Sequence, residues 1–434
     1  MAKDAITLKK ELMYLIEEMA RSPALFVQNP AKDFTRERKL ALDRMLSMMI
    51  SMGGNSIGKE LLDFYEYDAE TATTSAFIQQ RKKILPFAFE FLFHEFTSAA
   101  AEPKTYRGYR LLAIDGSDLH IPTNPSEPEN YFVANEDTHG YNLLHLNAIY
   151  DLCSKLFTDI LLQTRRSANE HLALTTMVDR SRISSEVILV ADRGYESYNN
   201  LAHIGRKGWN YVFRLRESNS ILSGLRLPVT QELDLPVSII LTKKQTKEVK
   251  AHPEIYRWLP HKTRFDFLDL NFDRFYPITF RVVRFKLSDD SFETLITNLD
   301  AIAFPADALK EIYHLRWGIE TSFRELKYAV GLLNFHSKKT ELITQEIFAQ
   351  LIMYNFSMMI ASHAIIRQNH TRYAYQVNFT RAIQICVFFF RYRSNAPPDA
   401  DALICKHILP IRPGRTDKRK LRSRSAVSFL YRVA

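Results

Sequence analysis

The stretch Tyr313-His-Leu-Arg316-Trp-Gly-Ile-Glu320-Thr-Ser-Phe-Arg-Glu-Leu-Lys327 decides how the rest of the chain is read. Tyr313, Arg316, Glu320 and Lys327 follow one another at steps of three, four and seven, so all four fall on one stripe of a helix. Ile312, Leu315, Ile319, Phe323, Leu326 and Val330 recur at the same period on a neighbouring stripe. The pattern predicts one helix over 306–332 that buries its apolar face and carries a phenol, a guanidinium, a carboxylate and an ammonium along the rim. Such a rim could serve a metal and a phosphate backbone. It could equally form an exposed pair of Glu320 with Arg316 or Arg324, worth under about 1 kcal/mol.

Two aspartates decide between these readings. Leu111-Leu-Ala-Ile114 is an apolar run that meets Asp115-Gly116, and Val187-Ile-Leu-Val190 meets Ala191-Asp192-Arg193-Gly194. Each aspartate is expected to terminate a buried strand at a glycine-containing turn, where open α/β sheets place their sites. One Asp-Gly pair is a common turn; two of them beside a glutamate on a helix make a set of three carboxylates. Three carboxylates can hold two divalent cations roughly 3.5–4 Å apart, and an all-oxygen set suits Mg²⁺ or Mn²⁺ rather than Zn²⁺. Asp118 stands close enough to Asp115 to be the ligand in its place; Asp115 is preferred because it directly follows the apolar run.

Around these blocks the chain reads as follows. Leu8, Leu12, Leu15 and Ile16, then Leu40, Leu42, Met45, Leu46 and Met49, make helical stripes, and Thr and Ser residues at 71–75 are N-caps for a helix through Lys83. Short helices around Gly53-Gly54 suit a helix-turn-helix-like module presenting Gln79, Gln80, Arg81, Lys82 and Lys83 to DNA, or a bundle with a solvated basic face. Strands are expected at 143–150 and 156–162, joined by a hairpin turn, then a helix at 168–181, a strand at 187–190, a helix at 196–206 and a strand at 211–215. Residues 216–305 hold Pro228, Pro236, Pro253, Pro260 and Pro277 and lose helical periodicity, which predicts a β-rich insertion with strands at 238–242, 279–285 and 292–297. Apolar helices follow at 341–368 and 372–393. The tail is basic, with Lys406, Arg412, Arg415, Lys418, Arg419, Lys420, Arg422, Arg424 and Arg432 against the single acid Asp417; it either lies on phosphates or is merely solvated.

A net charge of +9 favours an acidic partner, of which nucleic acid is the commonest. Three scattered cysteines, Cys153, Cys386 and Cys405, offer neither a disulfide framework nor a zinc spacing, so a reducing cytoplasm is expected, with nucleoid association following from a nucleic-acid partner. The Met-Ala-Lys-Asp start lacks the pattern of a secretion signal, and no apolar run reaches the ~18 residues of a membrane span. A Gly-rich phosphate loop, a Gly-x-Ser-x-Gly elbow and a His-Glu-x-x-His pair are all absent from the sequence.

The three acidic blocks and the tetrad together resemble the DDE-class insertion-sequence transposases marked by the Y-x₂-R-x₃-E-x₆-K signature, the hairpin-forming cut-and-paste type. Tyr313, Arg316, Glu320 and Lys327 match that spacing in full. Ile114-Asp-Gly-Ser117 and Val190-Ala-Asp-Arg-Gly-Tyr195 look like the first and second aspartate blocks, and Ser75 to Ile84 resembles the N-terminal region. The likeness spans about residues 35–360. It implies an RNase H-like core with a mixed five-stranded sheet over 105–215 and 306–340, interrupted by the β-rich insertion at 216–305. Flanking it are a helical DNA-binding region, 1–104, and a helical C-terminal region, 341–434. The gap of 320 − 192 = 128 residues leaves room for that insertion. By the same resemblance Asp115, Asp192 and Glu320 are the catalytic metal ligands for Mg²⁺, with Mn²⁺ a substitute. Tyr313, Arg316 and Lys327 contact DNA phosphates, and Arg193 either does so or caps its turn. The implied partners are terminal inverted repeats and target DNA, bound by a homodimer. Trp258 is expected to pack in a core rather than stack on a flipped base, and His336, Lys338 and Lys339 either contact DNA or form a solvated loop. The resulting expectation is a Mg²⁺-dependent transposase. A non-catalytic DNA-binding descendant of a transposase and a cellular RNase H-like nuclease are the alternatives.

Overall fold

The structure, a computed structural model, describes residues 3–36, 38–133, 140–217, 220–225, 227–228, 232–269, 274–288, 291–364, 373–392 and 397–411. All the basic tail residues from Arg412 onward, and Asp417, lie outside that set.

The N-terminal part is helical: α1 (Ala5–Arg21), α2 (Leu42–Ser51), α3 (Ile57–Phe64), α4 (Thr74–Arg81) and α5 (Pro86–Ala100). Asp4 starts α1 by accepting the Thr7 amide at 2.7 Å, and Thr73 caps α4 by accepting the Ala76 amide at 3.2 Å. The central part comprises β1 (Arg110–Ile121), β2 (Tyr131–Phe132), β3 (Tyr141–Asp151), β4 (Leu156–Thr164), α6 (Glu170–Arg180), β5 (Val187–Ala191), α7 (Tyr198–Arg206) and β6 (Asn210–Arg214). Next come β7 (Leu233–Thr242), α8 (Lys247–Ala251), β8 (Tyr256–Trp258), β9 (Tyr276–Ser288) and β10 (Ser291–Thr297). The chain continues through α9 (Ala306–Leu315), α10 (Trp317–Glu325), a π-helical segment (Leu326–Val330), α11 (Thr340–Ala361), β11 (Tyr375–Val377), α12 (Phe379–Arg391), α13 (Ala400–Lys406) and β12 (Ile408–Pro410).

Strands β4, β3, β1, β5 and β6 lie side by side in that order, antiparallel at β4–β3 and β3–β1 and parallel at β1–β5 and β5–β6. The sheet does not stop at five strands. β10 pairs antiparallel with β6, and β9, β7 and β8 follow, so the insertion extends one ten-stranded mixed sheet instead of standing apart. A bare β6 edge would expose a row of unpaired backbone groups, and β10 covers it. Trp258, expected in a core, is exposed on the edge strand β8.

β1 also departs from expectation. It runs through Asp115 and Gly116 to Ile121, with Asp115 opposite Ala148 and Gly116 opposite Asn147. The antiparallel ladder with β3 holds the strand past the glycine, so Asp115 lies mid-strand and only Asp192 stands at a strand end.

The sheet divides the interior. One core joins one face of β1, β3 and β4 to α10 and to helices from both ends of the chain, α1 to α5 and α11 to α13. The expected N-terminal and C-terminal regions therefore share a single apolar interior. Arg81, which the helix-turn-helix alternative would turn toward DNA, is buried between them; its Nη2 lies 2.7 Å from Glu346 Oε1 on α11, and its Nε donates to Gln345 at 3.1 Å. His336 is likewise internal, pairing with Glu346 at 3.1 Å and lying 2.8 Å from the Asn55 carbonyl. A second core under α6 and α7 takes the other face and part of the insertion, and a third packs α9 on β5, β6 and β10. Among the described residues no helix is long and apolar enough to cross a membrane.

Candidate active site

The expected single helix over 306–332 is three consecutive pieces. α9 ends at Leu315, α10 begins at Trp317, and residues 326–330 widen into a π turn closed by Gly331 at φ 109°. Leu315 and Trp317 are exposed, whereas Ile312, Ile319, Phe323, Leu326 and Val330 are buried. The π turn changes the phase of the last residues. Lys327 there donates to Ser117 Oγ at 2.6 Å and to the Asp118 carbonyl at 3.3 Å. The tetrad is thereby bound to β1 at its C-terminal end.

Each carboxylate is held by a nearby donor. Asp115 Oδ1 accepts the Gly116 amide at 2.9 Å. Asp192 caps the short 3₁₀ turn Arg193–Tyr195; its Oδ1 accepts the Arg193 amide at 2.8 Å and the Tyr313 hydroxyl at 3.1 Å. Arg316, buried and lying over the Tyr313 and Trp317 rings, donates from Nη2 to Glu320 Oε1 at 2.9 Å. The i,i+4 pair that could have been a surface ornament is thus half inside the protein. Exposed Arg193 meets Asp192 through its backbone, and Tyr313 and Arg316 turn their polar ends toward carboxylates.

Burial pushes the Asp115 carboxyl up to about 6; Gly116 and Arg316 oppose the rise, while Glu320 and Glu170 add to it. Burial acts against the positive charge of Arg316, but the groups around it, Tyr313, Asp192, Glu320 and Asp115, hold its pKa above the ordinary value. One guanidinium therefore serves all three acidic blocks.

Glu170 escaped the sequence reading. It is the first residue of α6, set there by Asn169, whose side chain accepts the Leu172 amide at 3.0 Å. A carboxylate in a first helical turn is favoured by the helix dipole, so the sequence offered only a helix-start signal. Beside it, His145 on β3 meets Asp118 at 2.7 Å through Nδ1, and its Nε2 lies 3.4 Å from Glu170 Oε1. Burial opposes a charge on His145, but Asp118 and Glu170 outweigh it and raise the imidazole to about 9. Asp118, also paired with Arg165 at 3.3 Å, is committed to this cluster.

Among the described residues no group of three His, Cys, Asp or Glu side chains is placed to hold a metal ion. By chemistry, Asp115, Asp192 and Glu320 are an all-oxygen donor set of the kind that suits Mg²⁺ or Mn²⁺. Asp115, Asp192 and Glu320 each meet protein donors through one oxygen, Oδ1, Oδ1 and Oε1, and the negative charge around Asp115 is of the kind a bound cation would relieve.

Residues 106–356 match the family described as "Transposase DDE domain". A relative, Transposase InsG for insertion sequence element IS4 from Escherichia coli (strain K12), is 22% identical over 339 residues, 74% of this chain and 70% of that protein. A solved structure, the piggyBac transposase synaptic complex with hairpin DNA, is similar at a TM-score of 0.45 and 11% identity, covering 95% of this chain and 87% of that one, a likeness too loose to carry an argument.

Proposed function

The chain belongs to the transposase DDE-domain family, and from that premise we propose that it cuts DNA at the ends of its own element and joins them to target DNA. The five strands β4, β3, β1, β5 and β6 serve as an RNase H-like core, with Asp115 within β1, Asp192 just past the end of the neighbouring β5 and Glu320 on the helix packed against it. Asp115, Asp192 and Glu320 would hold Mg²⁺, or Mn²⁺ in its place. The bound ions would supply the charge that activates the attacking hydroxyl and offsets the charge on the departing oxygen.

The chain's own residues carry the remaining tasks. Tyr313 fixes Asp192 and Arg316 fixes Glu320, so two carboxylates on different elements are oriented before DNA arrives. Hydrolysis breaks the bond between phosphorus and the 3′ oxygen at the element's end, and water supplies the new phosphate oxygen. The freed 3′-hydroxyl then attacks a target phosphodiester, and the displaced strand leaves with its own 3′-hydroxyl. No covalent link to the protein is needed. Arg193, exposed beside Asp192, and Lys327, bonded to Ser117, would meet phosphates as a fork and a point charge. Two element ends must be brought together, so a homodimer on DNA is part of this reading.

The observation that carries the reading is the shared guanidinium. Arg316 bonds Glu320 and lies within the electrostatic reach of Asp115 and Asp192. The test incubates the purified chain with Mg²⁺, duplexes bearing its terminal inverted repeats and a target plasmid. Joined products are expected; cleavage without joining would favour the nuclease alternative, and neither would favour a DNA-binding descendant.

A further inference from the structure

The Glu170 carboxylate lies against the glycines of both aspartate blocks. A methyl group built on Gly116, the residue after Asp115, would stand 2.7 Å from Glu170 Oε1 and 2.8 Å from His145 Nε2. One built on Gly194, two residues after Asp192, would stand 3.6 Å from Glu170 Oε2. Gly116 is therefore bare for a reason other than a turn: β1 runs straight through it, and the missing side chain is the space that Glu170 and His145 fill.

One buried group at this point lacks a hydrogen-bond partner among the described residues, the Tyr195 hydroxyl. His145, only 6% exposed, ion-pairs with Glu170 through Nε2 at 3.4 Å. Tyr195 is 2% exposed, its hydroxyl is unpartnered, and it lies within the fields of Glu170, Asp115, Arg316 and Asp192. Buried polar atoms are seldom left so unless a water, ion or substrate completes them. The arrangement has an anchored base, because Asp118, itself paired with Arg165, holds His145 from the other side.

We propose that Glu170, held by His145, is a fourth carboxylate of the centre, a positioning residue that sets the two aspartate segments for the divalent cation. It bridges the strand carrying Asp115 and the turn carrying Asp192, and it adds negative charge beside the site. This inference rests on the metal-binding reading of Asp115, Asp192 and Glu320. Residues behind a metal's direct ligands commonly change ion affinity or activity about 10- to 100-fold when altered.

The experiment measures Mn²⁺ binding to the full-length chain by the electron paramagnetic resonance of the free ion, without DNA, for the parent, D115N, E170Q and G116A. The parent is expected to bind and D115N to lose most binding. Both E170Q and G116A should raise the half-saturating Mn²⁺ concentration about 10-fold or more. Thermal unfolding without Mn²⁺ identifies a variant that has merely failed to fold, and E170Q, isosteric with glutamate, is the variant that decides. If the parent and E170Q bind Mn²⁺ alike while D115N does not, the role of Glu170 is overturned and the site reading stands. If the parent binds no Mn²⁺, both are overturned.

Discussion

The Tyr313 hydroxyl donates to Asp192 Oδ1 at 3.1 Å, across 121 residues of sequence, and so ties the end of β5 to α9. Y313F removes that bond and little else, since the ring stays packed against β5 and β6. Folding stability should fall by about 1 kcal/mol. Single-turnover cleavage of end DNA should slow about 10- to 100-fold, with affinity for the same DNA in the absence of Mg²⁺ nearly unchanged. A large loss of affinity with an undisturbed cleavage rate would assign Tyr313 to phosphate contact instead.

Asp115 is ionised at a cost. Its folded value of about 6 lies above the ordinary 3.8, so the folded state takes up its proton more readily than the unfolded state. That contribution to stability is present below about pH 4 and is lost as pH rises through about 6. In metal-free protein at pH 8, D115N should therefore unfold at higher denaturant than the parent. The gain is roughly 1–3 kcal/mol, and it should shrink toward zero near pH 4. A destabilised D115N at pH 8 would contradict the assignment of burial as the dominant cause.

Arg81 belongs to the interior. Both it and Glu346 are nearly inaccessible, at 2% and 5% side-chain exposure. R81M leaves Glu346 with His336 but without its guanidinium, and breaking a buried pair costs about 3–5 kcal/mol. Denaturant unfolding should show that loss. A variant of parental stability that binds DNA poorly would restore the helix-turn-helix reading.

Much of this was legible in the sequence because it rests on local pattern. The strand–hairpin–strand at β3 and β4, the α6 to β6 alternation and the cap at Thr73 depend on neighbouring residues. The Tyr313 to Lys327 spacing was visible for the same reason. What escaped was set by partners far along the chain. Gly116 reads as a turn until β3 is seen to ladder past it. Arg81 reads as a surface cation until α11 brings Glu346, 265 residues away, against it. The β6 edge is closed by β10, which local propensity cannot announce. Glu170 carries no signal of its own, because its position depends on two glycines and a histidine that the sheet assembles.

The most direct measurement is Mg²⁺-dependent cleavage of the chain's own terminal inverted repeats by E320Q beside the parent. Gln keeps the length of the side chain and an oxygen for Arg316 while removing the carboxylate charge. The rate is expected to fall on the order of 10³-fold, about 4 kcal/mol of barrier, with end-DNA affinity and folding retained. An E320Q protein that cleaves at the parental rate in Mg²⁺ would contradict the catalytic centre described above.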